Sequence, residues 1–170
     1  MLILEYAVVA FFAIGLTVVA ISIVEWWLHR YLLHEWEGTA GFESHGQHHV
    51  EFKGKDYSRP EHQHVDESFG LPPSLFIKVT LGALLTGILM GYLTGYWIVI
   101  PVCTTGTTFF YLVCLGLLHK WVHQPKGRWF EKTSLFKYLS RCHQVHHANP
   151  GTNFCILLPF VADRMLRTYQ

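Results

Sequence analysis

From Val79 to Leu118 the chain runs for 40 residues without an Asp, Glu, Lys or Arg. A helix rises about 1.5 Å per residue and the hydrocarbon core of a bilayer is roughly 30 Å thick, so about 20 residues make one crossing. The run is therefore long enough for two spans. Its middle, Gly91-Tyr92-Leu93-Thr94-Gly95-Tyr96-Trp97, predicts a tight turn whose aromatic residues sit at a membrane–water interface. Leu2 to Val24 adds 23 residues whose one charge is Glu5, a third span. This stretch lacks the basic start and small-residue cleavage site of a secretory leader, and is taken as mature sequence. In hydrocarbon every backbone polar group must be satisfied within the segment, which selects helices. The expected fold is an all-α integral membrane protein, a single domain over residues 1–170. It has about three transmembrane helices and a cytoplasmic helical cap.

Only 15% of the residues are charged, against about 25% in an average soluble domain. The formal net charge of +1 excludes a basic nucleic-acid-binding module. All basic residues fall in two segments, Arg30 to Lys78 and Lys120 to Arg167. The positive-inside rule places both in the cytoplasm, with the N-terminus outside and the C-terminus inside. Trp26, Trp27 and Trp36 mark the inner interface. The four cysteines, Cys103, Cys114, Cys142 and Cys155, form no C-x-x-C pair and are expected to be small hydrophobes rather than a disulfide framework.

Twelve histidines are the unusual part of the composition, and this topology puts all of them on the cytoplasmic face. Ten fall in four clusters: His29 and His34; His45, His48 and His49; His119 and His123; His143, His146 and His147. Helical residues three and four apart share a face, so each of the last three clusters presents imidazoles to one side. His29 and His34 are five apart, about 140° around an α-helix, and diverge unless the helix frays or both flank a wide site. Ten neutral imidazoles supply five nitrogens to each of two ions. Imidazole suits several transition metals, but zinc sites usually stop at four ligands, which favours a redox-active, higher-coordinate pair such as iron.

The remaining candidates are weaker. His62 and His64 lie in a polar stretch, Val50 to Gly70, expected to be a loop or partly disordered insertion. Glu25 either accepts the second ring N–H of a ligand or faces water at the interface. Asp163 with Arg164 either orients a metal-bound histidine or forms a surface pair, the latter being the simpler expectation. A helix is expected around Phe136 to Ala148, ended by Asn149-Pro150-Gly151. Phe154 to Val161 is too short to span and is read as interfacial or packed on the core. Trp26, Tyr31, Trp121 and Phe154 are candidate lining or anchoring aromatics.

In this order and spacing, H-x-x-x-x-H, H-x-x-H-H, H-x-x-x-H and H-x-x-H-H, with an apolar hairpin between the second and third, the chain resembles the fatty acid hydroxylase and sterol desaturase superfamily of membrane di-iron oxygenases. The resemblance covers about Glu25 to Thr168. His45-Gly46-Gln47-His48-His49, Pro72-Pro73, and Asn153-Phe154, Pro159 and Asp163-Arg164 resemble the fatty acid 2-hydroxylase branch more than the short bacterial carotenoid hydroxylases. The chain departs from that branch in a longer stretch between His49 and Pro72, and in Cys155 and Arg167 where glycine is frequent. The resemblance implies an iron- and O2-dependent monooxygenase that hydroxylates a lipid C–H bond, most readily a fatty acyl chain. Alternatives are a desaturase or a carotenoid or sterol hydroxylase using the same centre. It implies two iron ions, replaceable by zinc in purified protein, on the ten clustered histidines, with no other catalytic side chain. O2 is the co-substrate, the lipid enters from the bilayer and a separate protein donates electrons. A non-catalytic metal carrier is a more distant alternative, disfavoured because the hairpin's polar side chains are chiefly threonines. Nothing in the sequence sets the oligomeric state.

Overall fold

The apolar runs fold as helices because no other open structure satisfies the backbone away from water. The computed structural model describes residues 2–54, 57–58 and 71–170. Helix α1 spans Leu2–Trp27 and passes directly into a π-helical turn, Leu28–Leu33. Helices α2 (Ala40–Glu51), α3 (Pro73–Thr94), α4 (Val99–His123), α5 (Ser134–Ala148) and α6 (Ala162–Met165) follow, with a 3₁₀ turn at Trp129–Lys132. No strand occurs among the described residues. Three helical stretches, Ile3–Leu33, Pro73–Thr94 and Val99–His123, are long and apolar enough to cross a membrane. The protein is an all-helical integral membrane protein.

Contacts divide the chain into two compact units. The first comprises residues 1–21 and 70–114. Its surface is apolar: Ile3, Phe11, Leu85, Leu93 and Val102 are among many large exposed hydrophobics, a surface suited to lipid and not to water. The hairpin turns through Gly95 at φ 83°, the left-handed conformation that glycine adopts without strain. Gly87 and Gly91, four apart on one face of α3, are buried and let α4 approach closely. A Cβ at Gly87 would lie 2.8 Å from Pro101 Cα, and one at Gly91 would lie 3.1 Å from the Tyr96 carbonyl. Small residues at such a crossing are the usual device for packing helices in lipid.

The second unit comprises residues 22–69 and 115–170 and carries all the clustered histidines. Thr39 and Thr133 start α2 and α5 by accepting from the amides of Phe42 (3.2 Å) and Phe136 (3.3 Å), ordinary N-caps. Helix α5 ends at Asn149-Pro150, as its sequence predicts. The segment that follows is irregular and packed inside: Phe154, Cys155 and Ile156 are buried. Phe154, Cys155 and Ala162 pack with Trp26 against Ile23 and Tyr31. Trp26 is thus core rather than an interfacial marker, while Trp27 and Trp36 stay exposed. Asn153, at φ 49°, ties this segment to the chain end. It donates to the Cys142 and Gln170 carbonyls at 3.3 and 3.1 Å and accepts from the Gln170 amide at 2.9 Å. Arg167, where the resembled branch often carries glycine, has φ 61°, a conformation that costs glycine nothing. No cysteine is disulfide-bonded.

A further expectation needs correction. Asp163 is fully buried, so it is no surface partner of Arg164. Within the stretch Val50 to Gly70, expected to be a loop or partly disordered insertion, Phe52 and Tyr57 are buried. His62 and His64 lie outside the described residues.

Candidate metal centre

The ten clustered histidines fall into two groups of five. His29, His34, His45, His49 and His146 form one; His48, His119, His123, His143 and His147 form the other, and within each group the nearest ring nitrogens lie within 4.8 Å of one another. The sorting is not by cluster. In each H-x-x-H-H motif the first and last histidines, four apart on α2 or α5, enter one group while the middle one crosses to the other. The His49 and His147 rings stack at 4.1 Å where the groups meet.

His29 and His34 enter the same group, which an α-helix would not permit. The π turn brings residues five apart into register, as its wider i→i+5 hydrogen bonding requires. The Trp36 amide donates to the Tyr31 carbonyl at 2.8 Å, and the two imidazoles stack with ring centroids 5.2 Å apart. The expectation of divergent side chains held only for regular α geometry.

In the first group His45 Nε2 lies 2.9 Å from His29 Nε2 and 3.1 Å from those of His34 and His49. His146 Nε2 lies 3.1 Å from His34 and His49. In the second, His119 approaches His48 at 3.0 Å, and His143 approaches His123 at 3.0 Å and His147 at 3.1 Å. A ring nitrogen has one proton or one lone pair, so His45 Nε2 cannot satisfy three neighbours by hydrogen bonds. A shared cation can. With metal–nitrogen bonds of about 2.0–2.1 Å, ligands at right angles stand about 2.9–3.0 Å apart and tetrahedral ones about 3.4 Å. The observed spacings match the former, and the donor set fits a five- or six-coordinate ion.

In three of the imidazoles the opposite ring nitrogen fixes the tautomer. Nδ1–H of His29 donates to the Phe154 carbonyl, that of His146 to Thr152 at 2.7 Å and that of His123 to Tyr57 at 2.8 Å. Each such bond holds the proton on Nδ1 and aims the Nε2 lone pair inward. Tyr57 also donates to the Ser140 carbonyl at 2.9 Å and lays its ring beside His123, His143 and His147. These partners escaped the sequence reading because a backbone carbonyl has no signature and Tyr57 lies in a polar stretch. Glu25 is buried and accepts from the Ile156 amide at 2.6 Å. Trp26 and Tyr31 pack beside Phe154, whose ring meets His29, His34 and His146. Trp121 packs on Phe130, away from the imidazoles, with Arg128 over its face.

Burial, followed by repulsion from His49, His34 and other neighbours, holds His146 well below the ordinary histidine range. Burial likewise lowers His34 to about 4, and burial with His34 and His119 nearby lowers His49 to about 3. These three imidazoles are neutral donors at pH 7. In the metal-free protein the unfolded histidines take protons near pH 6.5 while the folded ones resist. Stability is therefore expected to be full above about pH 6.5 and to fall continuously as pH drops toward 4. Thermal melts of metal-free protein across this range check it, and a flat profile contradicts it.

The family model described as "Fatty acid hydroxylase" matches residues 14–168. A β-carotene hydroxylase of Paracoccus sp. (strain PC1) is 26% identical over 152 residues, covering 89% of this chain and 82% of the relative. One from Pseudescherichia vulneris is 28% identical over 150 residues, covering 88% of this chain and 74% of the relative. No solved structure matches.

Proposed function

Because the chain belongs to the fatty acid hydroxylase family, whose matched relatives here are themselves hydroxylases, we propose that it inserts one oxygen atom from O2 into a C–H bond of an apolar membrane lipid. The observation that carries this reading is the pair of five-imidazole groups, each converging on one point through neutral Nε2 atoms. His29, His34, His45, His49 and His146 would hold one iron ion, and His48, His119, His123, His143 and His147 a second. Two iron ions there would supply the O2 activation that an unactivated C–H bond demands. Zinc could occupy the same nitrogens in purified protein.

The protein's own part is orientation and exclusion of water. The carbonyls of Phe154, Thr152 and Tyr57 hold three imidazoles in one tautomer, and the buried Phe52, Tyr57 and Phe154 rings keep solvent from the nitrogens. The basic segments that carry the histidines favour a centre on the cytoplasmic side by the positive-inside rule, where a separate protein would deliver electrons. Lipid would enter from the bilayer.

Both relatives bear the name β-carotene hydroxylase, which favours a carotenoid over the acyl chain expected from motif wording. The acyl reading keeps the support of the family's description. Mass spectrometry of carotenoids and acyl lipids from iron-supplied aerobic cells that make β-carotene, with and without this protein, tests both. A carotenoid heavier by one or two oxygen atoms is expected. An oxygenated acyl chain would move the substrate to the second reading, and a product two hydrogens lighter would make the enzyme a desaturase. Unchanged lipids in cells containing the metal-loaded protein and a working electron donor would overturn the catalytic reading.

A further inference from the structure

The irregular segment after α5 has its backbone divided between two tasks. Its carbonyls at Thr152 and Phe154 accept the Nδ1–H protons of His146 and His29. Its amides are taken from the other side: Asn153 donates to the Thr168 carbonyl at 2.9 Å and Ile156 to Glu25 at 2.6 Å. Both remaining amides go to one carboxylate, Phe154 to Asp163 Oδ1 at 2.9 Å and Cys155 to Asp163 Oδ2 at 2.8 Å. Thr168 Oγ1 gives the carboxylate its third bond, at 2.7 Å to Oδ1.

The Cys155 amide and the Phe154 carbonyl belong to the same peptide unit. One continuous chain therefore runs from the Asp163 carboxylate through the Cys155 N–H, across that peptide to the Phe154 C=O, then to the His29 Nδ1–H and its inward-facing Nε2. A carboxylate on the N–H side of a peptide polarises it and strengthens the carbonyl as an acceptor. A stronger acceptor on Nδ1–H makes Nε2 a better electron donor and fixes the ring's rotation. A carboxylate placed directly on a ligand histidine does the same; here a backbone peptide stands between.

We infer that Asp163 is a positioning residue for the first histidine group, acting on His29 through the Phe154–Cys155 peptide. The inference rests on the metal reading above and adds to it a residue outside the ten histidines. It also predicts asymmetry. The corresponding carbonyl for the second group is that of Tyr57, on His123, whereas the Asp163 carboxylate bonds all lie in the closing segment and serve the first group alone.

The test uses the full chain in detergent, loaded with zinc, with neither substrate nor O2, so that it does not depend on the reaction. Zinc per chain and its release to a chelator are measured for wild type, Asp163→Asn and Asp163→Ser. The wild type is expected to hold two ions. In Asp163→Asn one ion should leave faster, by up to about tenfold, the low end of what losing a ligand's direct partner costs because the Phe154 carbonyl remains, while the other keeps the wild-type rate. Unchanged release in both Asp163 variants overturns the inference. So does equal acceleration or loss of both ions in both variants, which would mark a role in the fold at large. A wild type that binds no zinc, iron or cobalt overturns the metal reading itself, a result distinct from either.

Discussion

Replacing His146 by alanine is expected to abolish hydroxylation and to cost the protein one of its two ions, while the chain still inserts in the membrane. His146 is fully buried. Its Nε2 lies 3.1 Å from those of both His34 and His49, and its Nδ1 proton is held by Thr152. It is also the crossing histidine of its motif, supplied by α5 to a group otherwise built from the π turn and α2. Alanine removes a donor that no neighbouring side chain can replace. Losing an outer hydrogen-bond partner of a ligand typically costs 10–100-fold, and losing the ligand itself should cost more, about a thousandfold or beyond. The three apolar helices lie elsewhere in sequence, so membrane extraction and expression should match wild type. Metal analysis of the purified variant, run beside product assays, checks both halves. Wild-type activity with His146 absent would remove the basis for the proposed centre.

A second large effect is expected in the hairpin, at a residue with no side chain. Gly87→Ala should destabilise the protein by about 1–3 kcal/mol, the usual range for overpacking. The added Cβ meets Pro101 Cα, a backbone atom, at 2.8 Å and Thr104 Oγ1 closer still. Thr104 is held in place by the Ile100 carbonyl at 2.9 Å, so α3 and α4 must separate. Gly82→Ala is the matched control. Nothing lies within 4 Å of its Cβ position, and alanine is the better helix former by about 1 kcal/mol. The two substitutions should therefore shift the melting temperature in opposite directions. A shift of the same sign at both would mean that the helices do not meet through Gly87.

The Gly87 contact was invisible in the linear chain, although the hairpin was plain. An uncharged run of twice the crossing length with Gly95 near its middle leaves few other arrangements. Close approach, by contrast, depends on which face of α3 meets α4, and the glycines are spread along the helix without regard to that face. The closing segment divides similarly. Its apolar character and its start after Asn149-Pro150 were legible. The burial of Asp163 was not, because an Asp-Arg pair near a chain end looks the same on a surface as inside. The convergence of the Phe154 and Cys155 amides and the Thr168 hydroxyl on it explains how a carboxylate tolerates that burial. Substrate preference was legible least. Motif wording pointed to an acyl chain whereas the matched relatives are β-carotene hydroxylases, and the histidines themselves carry no information about the molecule oxidised.

The sequence by itself determined that the chain is helical and membrane-spanning, and that ten of its histidines fall in four clusters at metal-ligand spacing. Charge depletion and residue spacing act locally, through hydrocarbon solvation and helical periodicity, and can be counted along a line. Tertiary structure alone decided how the ten divide into two groups, with His48 and His146 exchanged between motifs. It also decided that His29 and His34 share one group, since a π turn arises only where packing repays its poorer hydrogen-bond geometry. The partners of the His29, His123 and His146 Nδ1 atoms belong to the same category. They are main-chain carbonyls brought into reach by folding, and every residue has one.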